Sequence, residues 1–160
     1  MKVTPLAEAL GAEIEDVDLS EEMSPDGWQA IHAAWLEYKV LVFRGQDLSE
    51  EVHLRFGRTF GDIQAVRSAN HLIGEEQPFM YIANREVDGK PGILPDGEMH
   101  FHNDQSYYEI PSKASLLYAS EIPSQGGNTL FSNAAKAYDM LEDSLKETLI
   151  GLQVFNVYDY

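Results

Sequence analysis

The chain is 160 residues long, with 44% hydrophobic and 11% aromatic residues, which suits one ordinary folded domain and excludes a low-complexity polymer. Eleven Lys and Arg face 27 Asp and Glu, a net charge of −16, so the surface repels a nucleic-acid backbone rather than attracting one. Cysteine is absent, which excludes disulfides and thiolate metal sites and fits a cytoplasmic location; with no apolar run of spanning length and no signal-peptide pattern at the start, no membrane partner is expected.

Taken in chain order, the opening residues are mixed. Residues 13–19 alternate polar with apolar side chains and predict a half-buried strand. Ser24-Pro25-Asp26 then supplies a helix cap, a first-turn proline and a first-turn acid. Trp28, Ile31, Trp35 and Tyr38 follow at helical spacing, so a helix runs to about Tyr38 with its aromatics in the core. Residues 39–44 form a short apolar run that predicts a buried strand ending at Gly45. Ser49-Glu50-Glu51 opens a second helix, with Val52, Phe56 and Phe60 on one face and Gly61 as its stop.

Residues 62–78 are polar and irregular, the texture of a loop over a site. Beyond them the pattern changes to strands, expected at 79–84, 99–104, 113–120 and 128–133, with turn-rich pieces between. A helix at about 134–149 and a last strand at 152–158 complete the reading. The result is a mainly β chain with flanking helices, a sandwich or jelly roll in class. Fewer strands are expected than the seven or so such a sheet uses, as in a fold incomplete at its C-terminus.

The segment Met99-His100-Phe101-His102-Asn103-Asp104 carries the chemistry. On a strand, His100, His102 and Asp104 share one face. A non-haem iron site takes two imidazoles and a carboxylate on one side of the metal, and His-x-Asp supplies one of each. His100 lies about 13 Å from Asp104 along a strand, so a third ligand must come from elsewhere. With five His and eleven Asp, the motif arises by chance in about one such chain in three, which leaves open an exposed pair on a strand edge.

The wider context is more specific. His102-Asn103-Asp104-Gln105-Ser106-Tyr107, Pro111, Ala114-Ser115-Leu116-Leu117-Tyr118-Ala119, Pro123 and Gly126-Gly127-Asn128-Thr129-Leu130-Phe131 follow at set spacings. Upstream stand Gly11-Ala12-Glu13-Ile14, Val40-Leu41-Val42-Phe43-Arg44-Gly45-Gln46 and Phe56-Gly57-Arg58-Thr59-Phe60-Gly61. In this order the motifs resemble the taurine dioxygenase (TauD/TfdA) family of Fe(II)- and 2-oxoglutarate-dependent oxygenases, from about residue 3 to residue 155.

The resemblance implies a double-stranded β-helix (jelly roll), with residues 1–160 as the N-terminal portion of a single domain. It implies an oxidoreductase, a dioxygenase that binds Fe(II), takes 2-oxoglutarate and O2 as cosubstrates, and hydroxylates a small, acidic organic substrate with release of succinate and CO2. His102 and Asp104 become two of the three iron ligands, and Thr129 the partner of the distal carboxylate of 2-oxoglutarate. Gln105 and Tyr107 lie where family members meet the primary substrate, and His71 in the polar loop can reach it. His100 becomes a residue behind the ligands, while His32 and His53 are expected on helix surfaces.

The family's second histidine ligand and its 2-oxoglutarate-binding arginine lie much further along the domain. Here 56 residues follow Asp104, and none is His or Arg. The match thus covers the first part of the family domain, and a fragment is the expected explanation. The alternative is a non-catalytic jelly-roll binding module with a vestigial metal site. Val66 takes the place of the type member's taurine-binding histidine, which argues against taurine as substrate. The expected partner is a small molecule, and a homo-oligomer is compatible with the sequence.

Overall fold

A computed structural model describes residues 1–64, 79–86, 89 and 100–156. The chain divides into two compact units, Met1–Phe60 with Leu116–Phe155, and Gly61–Ser115 with Asn156–Tyr160.

In the first unit, β1 (Lys2–Pro5) pairs antiparallel with β2 (Ala12–Glu15), and β2 pairs parallel with β3 (Leu41–Val42). The period-two pattern places Ala12 and Ile14, 0% and 3% exposed, on the core face of the central strand. The opposite face is held by charge. Glu15 meets Lys2 at 2.5 Å and the Thr4 hydroxyl at 2.9 Å, and Glu13 meets Arg44 at 3.1 Å. The strand predicted over 13–19 stops at Glu15, because Asp16 takes a left-handed backbone (φ 60°). The alternation continues as a loop in which Leu19 stays buried. Gln46 secures that loop, donating from Nε2 to the Val17 carbonyl and accepting the Leu19 N–H at Oε1, both at 2.9 Å.

The first helix, α1 (Pro25–Tyr38), forms where its local signals place it. The Ser24 hydroxyl accepts the Gly27 N–H, Pro25 starts the helix and Asp26 sits in the first turn. Ile31 and Ala34 are buried. Lys39 ends the helix with φ 67°, its N–H returning to the Trp35 carbonyl. The buried strand expected over 39–44 shrinks to the two residues of β3, which are half-buried. Left-handed Lys39 and Gly45 bracket it, and among the described residues β2 is its one neighbour in the sheet.

Helix α2 (Glu50–Arg58) is capped by Ser49 and carries Glu50 and Glu51 at its start and Arg55 and Arg58 at its end, the polarity its dipole favours. It stops before the predicted Gly61, with the Thr59 hydroxyl donating to the Phe56 carbonyl. Phe56 is the aromatic hub of this unit. Its ring lies 5.7 Å from Trp28, 5.5 Å from Phe43 and 5.4 Å from Phe60, and Phe60 in turn packs edge-on against Trp35. His32 and His53, expected on the surface, are half-buried instead. His32 lies against Trp35 and Phe60, and His53 against Tyr118.

The C-terminal stretch of this unit departs further from expectation. The helix predicted over 134–149 is two helices, α3 (Ala134–Asp139) and α4 (Asp143–Leu149), because Glu142 is extended (φ −61°, ψ 145°). Asn133 caps α3 and also donates to the Ala9 carbonyl, while Lys136 pairs with Glu8 at 3.0 Å, tying α3 to the N-terminal loop. The strands predicted at 113–120, 128–133 and 152–158 are not strands among the described residues, and residues 157–160 lie outside these. A strand exists through its ladder, and these segments have none here. Most of their described apolar side chains are exposed, up to 90% for Phe155, while Ala114 and Leu116 are half-buried.

The second unit carries irregular backbone where strands were predicted at 79–84 and 99–104. Ile82 forms an isolated bridge, residues 104–107 form a turn, and Met99 lies outside the described residues. Most of the expected loop at 62–78 also lies outside them. The architecture among the described residues is therefore a three-stranded mixed sheet with four helices, in which helix outweighs strand, rather than the mainly β arrangement expected from the sequence.

Candidate metal centre

The His-x-Asp segment belongs to the second unit. The face-sharing expected of a strand is achieved by other means, because the backbone turns immediately after His102 and Asn103. His102 Nδ1 lies 2.7 Å from the His100 carbonyl oxygen, a partner that only accepts, so Nδ1 is the protonated nitrogen. Nε2 is thereby turned toward Asp104 Oδ1, at 3.1 Å. Asp104 is fixed on its far side too, where Oδ2 accepts the Ser115 hydroxyl at 2.5 Å. His100 acts here through its main chain, not through its exposed ring.

The electrostatics follow from that geometry. The His100 carbonyl is the largest influence and holds the His102 imidazole above its usual pKa, with partial burial opposing and Asp104 reinforcing the rise. When the imidazole carries its second proton, Nε2–H donates to Oδ1 and bridges the pair. A divalent ion can replace that proton. Two donor atoms each about 2.1 Å from one ion, at right angles, lie about 3.0 Å apart, so the 3.1 Å separation fits two neighbouring positions of an octahedral ion. The side chains are 45% and 52% exposed, leaving the outer side of the pair open. Among the described residues no third His, Asp or Glu joins them.

The other predicted site residues fall as follows. Gln105 has a left-handed backbone (φ 51°), and its half-buried amide is hydrogen-bonded to the Ser112 hydroxyl. Ser112 Oγ also lies 2.6 Å from Gln64 Oε1, its one proton serving either amide oxygen, and Gln64 Nε2 donates to the Ile110 carbonyl, so Gln105 is held from within the turn. Tyr107 is exposed, its ring 4.8 Å from that of Tyr108. Thr129 is an exposed residue of the first unit. It follows a turn that demands glycine. Gly126 and Gly127 have φ 73° and 68°, and a β-carbon at Gly127 would come within 2.7 Å of the Pro123 ring. His71 and Val66 lie outside the described residues.

Sequence reasoning missed Ser112, Ser115 and Gln64. The available signal was faint: two serines in the short stretch after Pro111, read only as part of a strand.

An imidazole and a carboxylate two residues apart, with donor atoms converging and far sides tied, can offer two neighbouring ligands to a metal ion. The model of the taurine catabolism dioxygenase TauD, TfdA family matches residues 2–160, and the chain belongs to that family. It is 31% identical to an (S)-phenoxypropionate/alpha-ketoglutarate-dioxygenase of Sphingobium herbicidovorans, over 99% of this chain and 54% of the relative. It is 34% identical to an alpha-ketoglutarate-dependent sulfate ester dioxygenase of Pseudomonas putida, over 100% of this chain and 51% of the relative. A 2,4-dichlorophenoxyacetate dioxygenase of Cupriavidus pinatubonensis, also alpha-ketoglutarate-dependent, shares 31% over 93% of this chain and 55% of its own length. The chain thus spans about half the length of the curated relatives it matches. The crystal structure of AAD-2 in complex with Mn(II) and N-oxalylglycine superposes with a TM-score of 0.63, at 24% identity, over 93% of this chain and 49% of that one. No helix among the described residues is long and apolar enough to cross a membrane.

Proposed function

We propose that His102 and Asp104 are two of the three protein ligands of an Fe(II) centre in a 2-oxoglutarate-dependent dioxygenase with a jelly-roll domain. The observation that carries this reading is the 3.1 Å approach of Nε2 to Oδ1, with each side chain fixed from behind. Bound there, the iron supplies activation of O2 with 2-oxoglutarate as reductant. One oxygen atom of O2 enters succinate as CO2 leaves, and the other replaces a substrate C–H by C–OH.

The chain's own residues position the reactants. His102 and Asp104 hold one side of the ion and leave the opposite positions to exogenous ligands. The Thr129 hydroxyl donates to the distal carboxylate of 2-oxoglutarate. Gln105, Tyr107 and His71 border the substrate. Phenoxypropionate, dichlorophenoxyacetate and sulfate esters, the substrates named for the relatives, all carry oxygen on a saturated carbon. We assign this chain the same chemical class, a small anionic ether or ester. Hydroxylation of the carbon bearing that oxygen gives a hemiacetal or hemiketal from an ether and an α-hydroxyalkyl sulfate from a sulfate ester. The C–O bond to the leaving group breaks, the hydroxyl becomes a carbonyl, and its proton leaves with the phenol or with hydrogen sulfate.

The test is succinate formation from 2-oxoglutarate with Fe(II), in the presence of 2-phenoxypropionate, an alkyl sulfate or taurine. In a chain extended to carry the second histidine ligand and the 2-oxoglutarate-binding arginine, succinate should form with the first two, and the double variant His102→Ala, Asp104→Ala should lose it. The 160 residues alone, which lack both, are not expected to turn over. Turnover that survives the double change would sink the assignment.

A further inference from the structure

We infer that Ser115 is a positioning residue for the metal pair, aiming the Asp104 carboxylate as a single-oxygen ligand. The inference rests on the metal reading of His102 and Asp104. A free aspartate turns about its last torsion and can offer either oxygen, or both, to an ion. Asp104 has that freedom removed. The Ser115 hydroxyl donates to Oδ2 at 2.5 Å, the short distance of a charge-assisted O–H···O⁻ bond. With Oδ2 committed, Oδ1 is the oxygen that faces His102 Nε2.

The device has a counterpart on the imidazole, where the His100 carbonyl takes Nδ1–H and turns Nε2 inward. One ligand is oriented by main chain and the other by a side chain, and the side chain is the part that substitution can test. Ser115 stands eleven residues beyond Asp104, and the intervening turn is closed by the Tyr108 N–H to the Gln105 carbonyl and by Ser112 between Gln105 and Gln64. That closure brings residue 115 back beside residue 104. Outer hydrogen-bond partners of this kind commonly account for tenfold or greater differences in metal affinity.

The probe is Mn(II) added anaerobically to the 160-residue chain, with the unbound aquo ion read by electron paramagnetic resonance. The double variant His102→Ala, Asp104→Ala gives the background from the acidic surface. Above that background, Ser115→Ala should weaken binding by roughly tenfold or more, and Ser115→Thr, which keeps the hydroxyl, should restore most of the affinity. Circular dichroism should be the same for all four chains, which separates a change of site from a change of fold. Unchanged affinity in Ser115→Ala overturns the inference, as does a loss that Ser115→Thr fails to repair. If the unaltered chain binds no Mn(II) above background, the metal reading of His102 and Asp104 fails first and takes the positioning role with it.

Discussion

Truncating Phe56 to alanine should cost the first unit about 4 kcal/mol. The ring is 7% exposed, so nearly all of its burial is lost, and Phe-to-Ala changes in cores typically cost about 3–5 kcal/mol. The upper part of that range applies because three rings lose a partner at once. Phe43 and Phe60 meet Phe56 near perpendicular, at 79° and 83°, the edge-to-face geometry that adds to simple burial. Trp28, 5.7 Å away, both loses contact and serves as reporter. With a urea dependence of about 2 kcal/mol per molar, the midpoint followed by tryptophan fluorescence should fall by about 2 M, or the chain should be unfolded already in buffer. Phe155→Ala, at a site 90% exposed, should cost less than about 0.5 kcal/mol and so shift the same midpoint by less than about 0.25 M. A Phe56→Ala midpoint within about 0.3 M of the original would refute the placement of the core around this ring.

Gln46→Leu should destabilise the first unit by about 2 kcal/mol in the same urea assay, because the buried Leu19 N–H and the Val17 carbonyl both lose their partner; a change below about 0.5 kcal/mol would contradict it. His53 gives a dependence on pH. Partial burial holds its pKa below the usual value of about 6.5, so the unfolded chain binds the proton more readily than the folded one. Its contribution is present in full above the unfolded pKa and is lost as pH falls through the lower, folded value. Urea midpoints at pH 7.5 and pH 5 should therefore differ less in His53→Gln than in the original chain, and an equal difference would contradict the sign.

The parts of the fold legible in the sequence are those with local causes. Ser24-Pro25-Asp26 and Ser49-Glu50-Glu51 act within one helical turn, and both helices begin where these residues stand. Residues 13–19 show the limit of a periodic pattern. It marked the whole stretch as a half-buried strand, yet a left-handed Asp16 ended the strand at Glu15 and left the second half a loop. The segments at 113–120 and 128–133 have strand-like composition, but composition fixes which face a strand would bury and not whether a neighbour supplies the ladder. The break between α3 and α4 at Glu142 has no proline or glycine to announce it.

The candidate site divides in the same way. His102 and Asp104 were legible as a pair because two residues of separation keep side chains close in many backbones. The expected reason, alternation on a strand, gives way to a turn in which the His100 carbonyl and Ser115 do the aiming. Ser115 reaches Asp104 by a return of the chain that nothing in the eleven-residue interval encodes locally. Gln105 was legible as a polar neighbour of the metal pair, whereas its tie to Ser112 depends on that same return.

The most direct test of an iron site on His102 and Asp104 is an anaerobic titration of the chain with Fe(II) and 2-oxoglutarate, following the visible charge-transfer absorption of the chelate. The band should grow to saturation with the original chain and vanish when both residues are alanine. A band that persists in the double variant would contradict the assignment of these two residues to the metal; no band with the 160-residue chain would mean that it holds half a site, and the same titration on a longer chain, with and without the two residues, then decides.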